Sequence, residues 1–287
     1  MNRADPGVAA PLAEHAAPRA AMGVTAKGLR LAVQDLFAGL LSFRIWAMMG
    51  WNEVRTRYRR SMLGPFWLTI STGVMVACMG PLFAKLFNQD TGSYLAFLAI
   101  GFVVWQLISL TISDSCLAFI AAESFIKQIK LPLSVYVLRV IWKNLVMFAH
   151  NLVVIAAVFV FVPPKASWTM LLFPLGVAAV ALNAVWVSLL LGMLSARFRD
   201  IPQIVTSLVQ VAFFLTPVMW QPHMLGRHVW AAELNPFYHF VEVIRGPLLG
   251  APFEPGSWLA VAGIAVFGYA FTLALYARCR ARIAFWV

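Results

Sequence analysis

The sequence predicts an all-α integral membrane protein with six transmembrane helices, an amino-terminal interfacial amphipathic helix and a re-entrant outer helical hairpin before the last span. Three observations carry this expectation. Of 287 residues, 62% are hydrophobic and 11% charged, whereas a soluble domain is about half apolar and about a quarter charged. The apolar residues collect in uncharged runs near the roughly 20 residues that one bilayer crossing takes. The cations are sorted onto alternate connections, as the positive-inside rule demands. A soluble globular enzyme is thereby excluded, and six crossings leave no length for a second folded domain.

Taken in order, residues 1–34 read as a disordered cytoplasmic tail. The stretch through about residue 26 is rich in Ala and Pro, is interrupted by Asp5, Glu14 and Arg19, and lacks the apolar core of a signal peptide. Residues 43–60 begin apolar and aromatic (Phe43, Ile45, Trp46, Met48, Met49, Trp51) and end basic (Arg55, Arg57, Arg59, Arg60). That gradient suits a helix lying in the headgroup plane, too short and too charged to cross. Uncharged runs then centre six spans at about 63–86, 94–120, 134–162, 169–195, 202–221 and 257–277. Residues 222–256 are not a simple loop. The segments Pro236–Phe240 and Val243–Ile244 are apolar, while Pro222, Pro236, Pro247, Pro252 and Pro255 forbid one long helix. Two short half-helices dipping back from the outer face fit best, and such broken backbone is tolerated only against protein or a water-filled cavity.

Orientation follows from the cations. The amino-terminal stretch through Arg60, the second connection with Arg139 and Lys143, the Arg197/Arg199 loop and the tail after Ala277 hold 18 of the 22 Lys and Arg. Both termini are therefore expected in the cytoplasm. The excess of 22 cations over 11 carboxylates then points to anionic membrane lipids as partners and not to nucleic acid. Cys78, Cys116 and Cys279 are isolated, so no disulfide framework or metal motif is expected.

Ionisable groups inside apolar runs usually face a partner or water. Asp114 is the pathway candidate among them. Arg139 and Lys143 are one helical turn apart and cannot neutralise each other, so they are expected to snorkel to the cytoplasmic interface. His150 beside Asn151 reads as a hydrogen-bonded packing residue. Most Trp residues fall at span ends as interfacial belts do, but Trp105, Trp142, Trp186 and Trp220 lie deeper or near the hairpin and could offer faces to sugar rings.

The run Arg57-Tyr58-Arg59-Arg60-Ser61-Met62-Leu63-Gly64-Pro65-Phe66-Trp67 resembles the signature that opens the membrane subunit of ABC-2-type polysaccharide exporters, which move O-antigen, capsule or teichoic acid chains. Three further stretches follow in the family's order. They are Ser195–Ile201 with Phe213–Val218, Leu234–Phe237 with Arg245–Gly250, and the terminal Arg282–Val287. The likeness covers roughly residues 35–287.

That resemblance implies a homodimer of this chain, each copy bound to one cognate ABC ATPase subunit, with a lipid-linked glycan admitted from the inner leaflet of a bacterial inner membrane. ATP and Mg would be held by the partner, with no cofactor in this chain, and no GxxxxGK[ST] phosphate loop occurs in the sequence to contradict this. Arg55, Arg57, Tyr58, Arg59 and Arg60 are then candidates for gathering a substrate pyrophosphate at a lateral gate, since Arg binds phosphate in bidentate fashion. In the family, the position of Glu123, Ser124, Phe125, Ile126, Lys127, Ile129 and Lys130 holds the coupling helix that docks into the ATPase. Its apolar anchors within a polar rim suit docking. Asn235, Pro236, Phe237, Glu242 and Arg245 are candidates for an outer gate.

Competing functions remain distinguishable. An ABC-2 exporter of capsule, teichoic acid, drug or lipid would share the scaffold. A membrane glycosyl- or acyltransferase would need an Asp/Glu/His cluster on a loop or a nucleophile elbow, and none appears. A secondary transporter would show broken helices in both halves, and only the carboxyl-terminal half is broken.

Overall fold

A computed structural model describes residues 26–59 and 66–287, apart from the side chains of Arg57 and Tyr58. Most of the expected tail, Arg60, and the signature residues Ser61–Pro65 lie outside the described residues. Within them the chain is helical from the start. Helix α1 (Ala26–Leu41) occupies the end of the segment expected to be disordered. The correction has a physical cause: Ala32, Asp35 and Gly39 recur at helical spacing and are buried, which fixes one face of α1 onto the bundle.

Helix α2 (Phe43–Tyr58) follows across a 67° bend. Ser42 sits at the break, its hydroxyl donating to the Ala38 carbonyl at 2.8 Å, a back-bond that favours bending. The α1–α2 pair is apolar and long enough to cross a membrane only if counted across that bend. Five helices qualify by themselves: α3 (Phe66–Leu86), α4 (Thr91–Cys116), α6 (Ser134–Phe161), α7 (Phe173–Arg197) with its leading 3-10 turn, and α11 (Pro255–Cys279). Between α4 and α6 lies the short α5 (Glu123–Gln128).

The expected fifth span is shorter than the sequence suggested. Helix α8 (Ile201–Leu215) has 15 residues, about 22 Å at 1.5 Å each, against a hydrocarbon core of about 30 Å. It ends because Pro217 pushes Thr216 into extended backbone. The remaining depth is filled by the hairpin: a 3-10 segment Pro222–His228, then α9 (Trp230–Glu233) and α10 (Pro236–Leu248). Asn235 caps α10, its Oδ1 accepting from Phe237 N at 2.9 Å, while its Nδ2 donates to the Leu215 carbonyl and to Thr216 Oγ1 at 3.2 and 3.0 Å. The cap therefore meets the end of α8. Phe237 packs on Trp105 with ring centroids 5.6 Å apart, and Trp105 is about 20 Å along α4 from its start at Thr91. The hairpin thus descends deep into the bundle, and α10 returns as a single helix of 13 residues where two short half-helices were expected.

Helix α4 is the centre. Its residues from Ala96 to Trp105 are buried on every side, and α6, α10, α3 and α7 surround it. A second core forms at the basic end, where Ala32, Phe119, Tyr136, Leu189, Met193, Tyr276 and Ile283 meet. Ile283 belongs to the short α12 (Ile283–Trp286), which lies beside α5. Among the described residues the structure is all helix and turn.

Candidate functional site

At the basic end, α2 crosses α6 closely because Gly50 has no side chain. A Cβ there would lie 2.9 Å from the Arg139 carbonyl. One turn further along α2, Glu53 enters a cluster of charges that the sequence reading had scattered. Arg139 Nε lies 3.0 Å from Glu53 Oε1, and Lys143 Nζ lies 3.5 Å from Glu53 Oε2 and 2.8 Å from Asp114 Oδ2. Asn144 Nδ2 adds a hydrogen bond to Asp114 at 3.1 Å. Arg139 and Lys143 are 5% and 7% exposed.

Two expectations are corrected here. Arg139 and Lys143 do not snorkel: they are held inside, because carboxylates from two other helices supply the neutralisation that α6 lacks. Asp114 is not an open pathway charge, since Lys143 and Asn144 occupy it. Glu53 was missed by the sequence reading, which treated its segment as a surface helix. Its signal was a lone carboxylate among the Arg residues of that helix.

Of the basic cluster, Arg55 and Arg59 are exposed. Arg57, Tyr58 and Arg60 fall outside the side chains described, so the cluster as a whole is not assembled by the structure. On α5, Glu123 and Lys127 form an exposed i,i+4 ion pair of 2.6 Å, which holds the Glu123 carboxyl below its usual range. Ser124 and Lys130 are also exposed. The apolar residues divide: Ile126 packs into the basic-end core, whereas Phe125 and Ile129 stay 45% and 49% exposed. Phe285 on α12 and Phe198 after α7 extend this exposed apolar rim, and Arg197 stacks over both Phe198 and Trp286 at 5.7 Å.

At the other end, Arg245 on α10 is fully buried. Its Nε and Nη2 donate to Glu242 Oε2 at 3.1 and 2.7 Å, its Nη1 donates to the Pro217 carbonyl at 2.6 Å, and its guanidinium lies 4.1 Å from the centre of the Phe97 ring. Glu242 and Arg245 therefore pin α10 to the turn after α8. Asn235, Pro236 and Phe237 form the junction below them.

The four deep tryptophans separate. Trp105 is buried between Phe213 and Phe237, which corrects the expectation of an open face for sugar. Trp142 lies under α2, edge-on to Trp46 at 5.8 Å. Trp220 is tied by Nε1 to the Phe214 carbonyl at 3.1 Å. Trp186, anchored to Asn183 Oδ1 at 3.0 Å, lines a cavity of about 490 Å³ between α7, α8 and α10.

Helix α8 carries a feature that the sequence reading passed over. It has no buried residue, and its exposed polar residues Gln203, Thr206, Ser207 and Gln210 recur at i, i+3, i+4 and i+7, so they form one stripe on an otherwise apolar helix. The polar chain Thr69–Asn151–Gln106–Thr72, with links of 3.0, 2.7 and 2.7 Å, is by contrast internal and ties α3, α4 and α6. Among the described residues no three His, Cys, Asp or Glu side chains gather as metal ligands.

The model of the ABC-2 type transporter family matches residues 45–249, which takes in α2 through α10 and both ends of the bundle. The chain belongs to the ABC-2 type transporter family. It is a multi-pass, membrane-embedded transport subunit. It is similar to the O-antigen export system permease protein RfbA of Klebsiella pneumoniae, 27% identical over 193 residues, 64% of this chain and 72% of that protein. A second RfbA of that organism is 23% identical over 232 residues, 75% of this chain and 88% of the relative. RfbA of Myxococcus xanthus is 24% identical over 169 residues, 59% of this chain and 65% of the relative.

Proposed function

We propose that this ABC-2 permease is the membrane half of an ATP-driven exporter that moves a lipid-linked polysaccharide, of O-antigen type, from the cytoplasm across a bacterial inner membrane. The observation that carries the reading is the pair Phe125, on α5, and Ile129, in extended backbone just after it, both left exposed while Ile126 between them faces inward. A solvated connector has no reason to hold two large apolar residues in water. A docking helix needs them, within a rim such as Glu123, Ser124, Lys127 and Lys130 supply. The occupant is the cognate ABC ATPase, which binds ATP and Mg and drives α5 through its nucleotide cycle. The basic end, with both termini, then faces the cytoplasm.

Two copies of the chain, each with one ATPase, complete the path. Gln203, Thr206 and Gln210 would be costly against lipid, so the α8 stripe faces a water-filled passage shared with a second copy. Arg55, Arg57, Tyr58, Arg59 and Arg60 collect the substrate pyrophosphate at the opening beside α2. The Asn235–Arg245 junction closes the outer end. The O-antigen export relatives support an O-antigen-type polysaccharide cargo over the capsule, teichoic acid, drug and lipid alternatives. A purified complex tests the docking: Phe125→Asp with Ile129→Asp should release the ATPase while the permease stays folded, and retained co-purification would refute it. Loss of surface glycan in a deletion strain tests the cargo.

A further inference from the structure

Buried cations in a membrane protein are held by anions or by substrate, and the pair on α6 is incompletely held. Arg139 Nε sits 3.0 Å from Glu53 Oε1 but out of hydrogen-bond alignment. Among the described residues its guanidinium makes one hydrogen bond, a long one of 3.4 Å from Nη2 to the Ala118 carbonyl. A guanidinium presents five N–H donors, and leaving them open inside a low-dielectric bundle is expensive. Lys143 is shared between Asp114 and Glu53. One carboxylate thus stretches its two oxygens across two cations that ask for more acceptors than it has.

The two carboxylates differ in how they are mounted. Asp114 belongs to the central helix and is fixed by Asn144. Glu53 belongs to α2, is one-third exposed, and is carried by a helix that joins α1 across a 67° bend and packs mainly on α6. With Glu53 in place the cluster is neutral, two cations against two carboxylates. Without it, one positive charge is uncompensated in an apolar interior, which is tolerable only if another anion takes its place.

We infer that Arg139 and Lys143 form an internal anion site that takes a phosphate group of the lipid-linked substrate in exchange for Glu53 when α2 moves off α6. The inference rests on the exporter reading and deepens it: the exposed Arg55 and Arg59 gather the headgroup, and this pair receives it. Glu53 is then a specificity-determining residue. A phospholipid phosphodiester brings a single negative charge, no more than Glu53 already supplies, and does not displace it. A diphosphate brings more charge and more oxygens, enough to meet the open donors of Arg139 and to reach Lys143 beside Asp114.

The test is binding of a polyprenyl diphosphate, and separately of phosphatidylglycerol, to the purified full chain in nanodiscs of neutral lipid. Glu53→Gln removes the competitor and should tighten diphosphate binding about tenfold and admit phosphatidylglycerol, while Glu53→Asp stays near wild type. Arg139→Gln with Lys143→Gln should weaken diphosphate binding at least about tenfold with Arg55 and Arg59 untouched. Unchanged or weaker binding by Glu53→Gln, or unchanged binding by the double variant, would overturn the site. The unmodified chain gives an answer independent of variant folding. Added polyprenyl diphosphate should speed amide exchange over residues 50–56 and slow it over 138–144, and slowing in both segments would overturn the exchange. These failures leave the exporter reading intact, whereas undiminished surface glycan in a deletion strain would remove the reading itself.

Discussion

The side chain of Asp35 caps a helix that begins 99 residues later: its Oδ2 accepts the backbone N–H of Ser134 at 3.0 Å and its Oδ1 that of Leu133 at 3.1 Å. The same carboxylate accepts from Tyr276 Oη at 2.8 Å and pairs with Arg280 at 3.1 Å. One buried residue therefore clasps α1, the start of α6 and the end of α11, and satisfies orphan amides at a helix start where negative charge is also favoured.

Asp35→Ala should strip that clasp, leaving buried donors unpaired, at about 3 kcal/mol or more. The expected readout is a large fall in the thermal unfolding midpoint of the purified chain, with Asp35→Asn losing less because an amide oxygen still accepts. A midpoint unmoved by Asp35→Ala would show that the amides find other partners.

Arg245→Met strands the Glu242 carboxylate and the Pro217 carbonyl, and should destabilise by about 3–5 kcal/mol. Adding Glu242→Gln should recover part of the loss, because the stranded charge is then gone. A double-mutant cycle of unfolding midpoints checks this, and simple additivity would contradict the pairing.

Gly50→Ala meets the Arg139 backbone, which cannot swing aside as a side chain can. Displacing α2 in this way should increase proteolysis within α2 while α6 remains protected, at an overpacking cost of about 1–3 kcal/mol. Unaltered protection of α2 would mean that the helices separate without penalty.

On α5, neighbouring substitutions should behave oppositely. Ile126→Ala removes a residue packed into the core and should destabilise by about 2 kcal/mol, whereas Phe125→Ala should leave the unfolding midpoint unchanged and act only on ATPase docking. Equal effects of the two on stability would contradict the orientation of the helix.

Asp90 caps α4 by accepting from Ser93 N at 2.9 Å, and chiefly that backbone hydrogen bond lowers its pKa below 3.8. Because the folded value is the depressed one, its stabilising contribution is full above pH 3.8 and is lost as pH falls through the folded value. The stability difference between wild type and Asp90→Asn should therefore shrink on acidification into that range, as followed by unfolding midpoints. A constant difference would exclude the cap.

How far the sequence was legible depended on the range of the cause. Hydropathy and proline placement are local, so the long apolar helices were readable from uncharged runs and the broken segment before α11 from Pro222, Pro236 and Pro247. The α8 stop was equally local, in Pro217, but an apolar run through Trp220 concealed it. The neutralisation of Arg139 and Lys143 was not readable, because Glu53 lies 86 and 90 positions from them and Asp114 lies 29 from Lys143, and periodicity on α6 carries no trace of either. Trp105 failed as a pathway residue for the same reason: its neighbours Phe213 and Phe237 come from α8 and the hairpin. The α8 stripe was readable at i, i+3, i+4 and i+7, but mean apolarity outweighed two amides and two hydroxyls.

The most direct test of a passive membrane conduit driven by a separate ATPase is reconstitution of the purified chain, with and without its cognate ATPase, in vesicles loaded with lipid-linked glycan. The account predicts glycan translocation only when both proteins and ATP are present, and no nucleotide hydrolysis by this chain alone. Translocation or hydrolysis by the chain without its partner would contradict it.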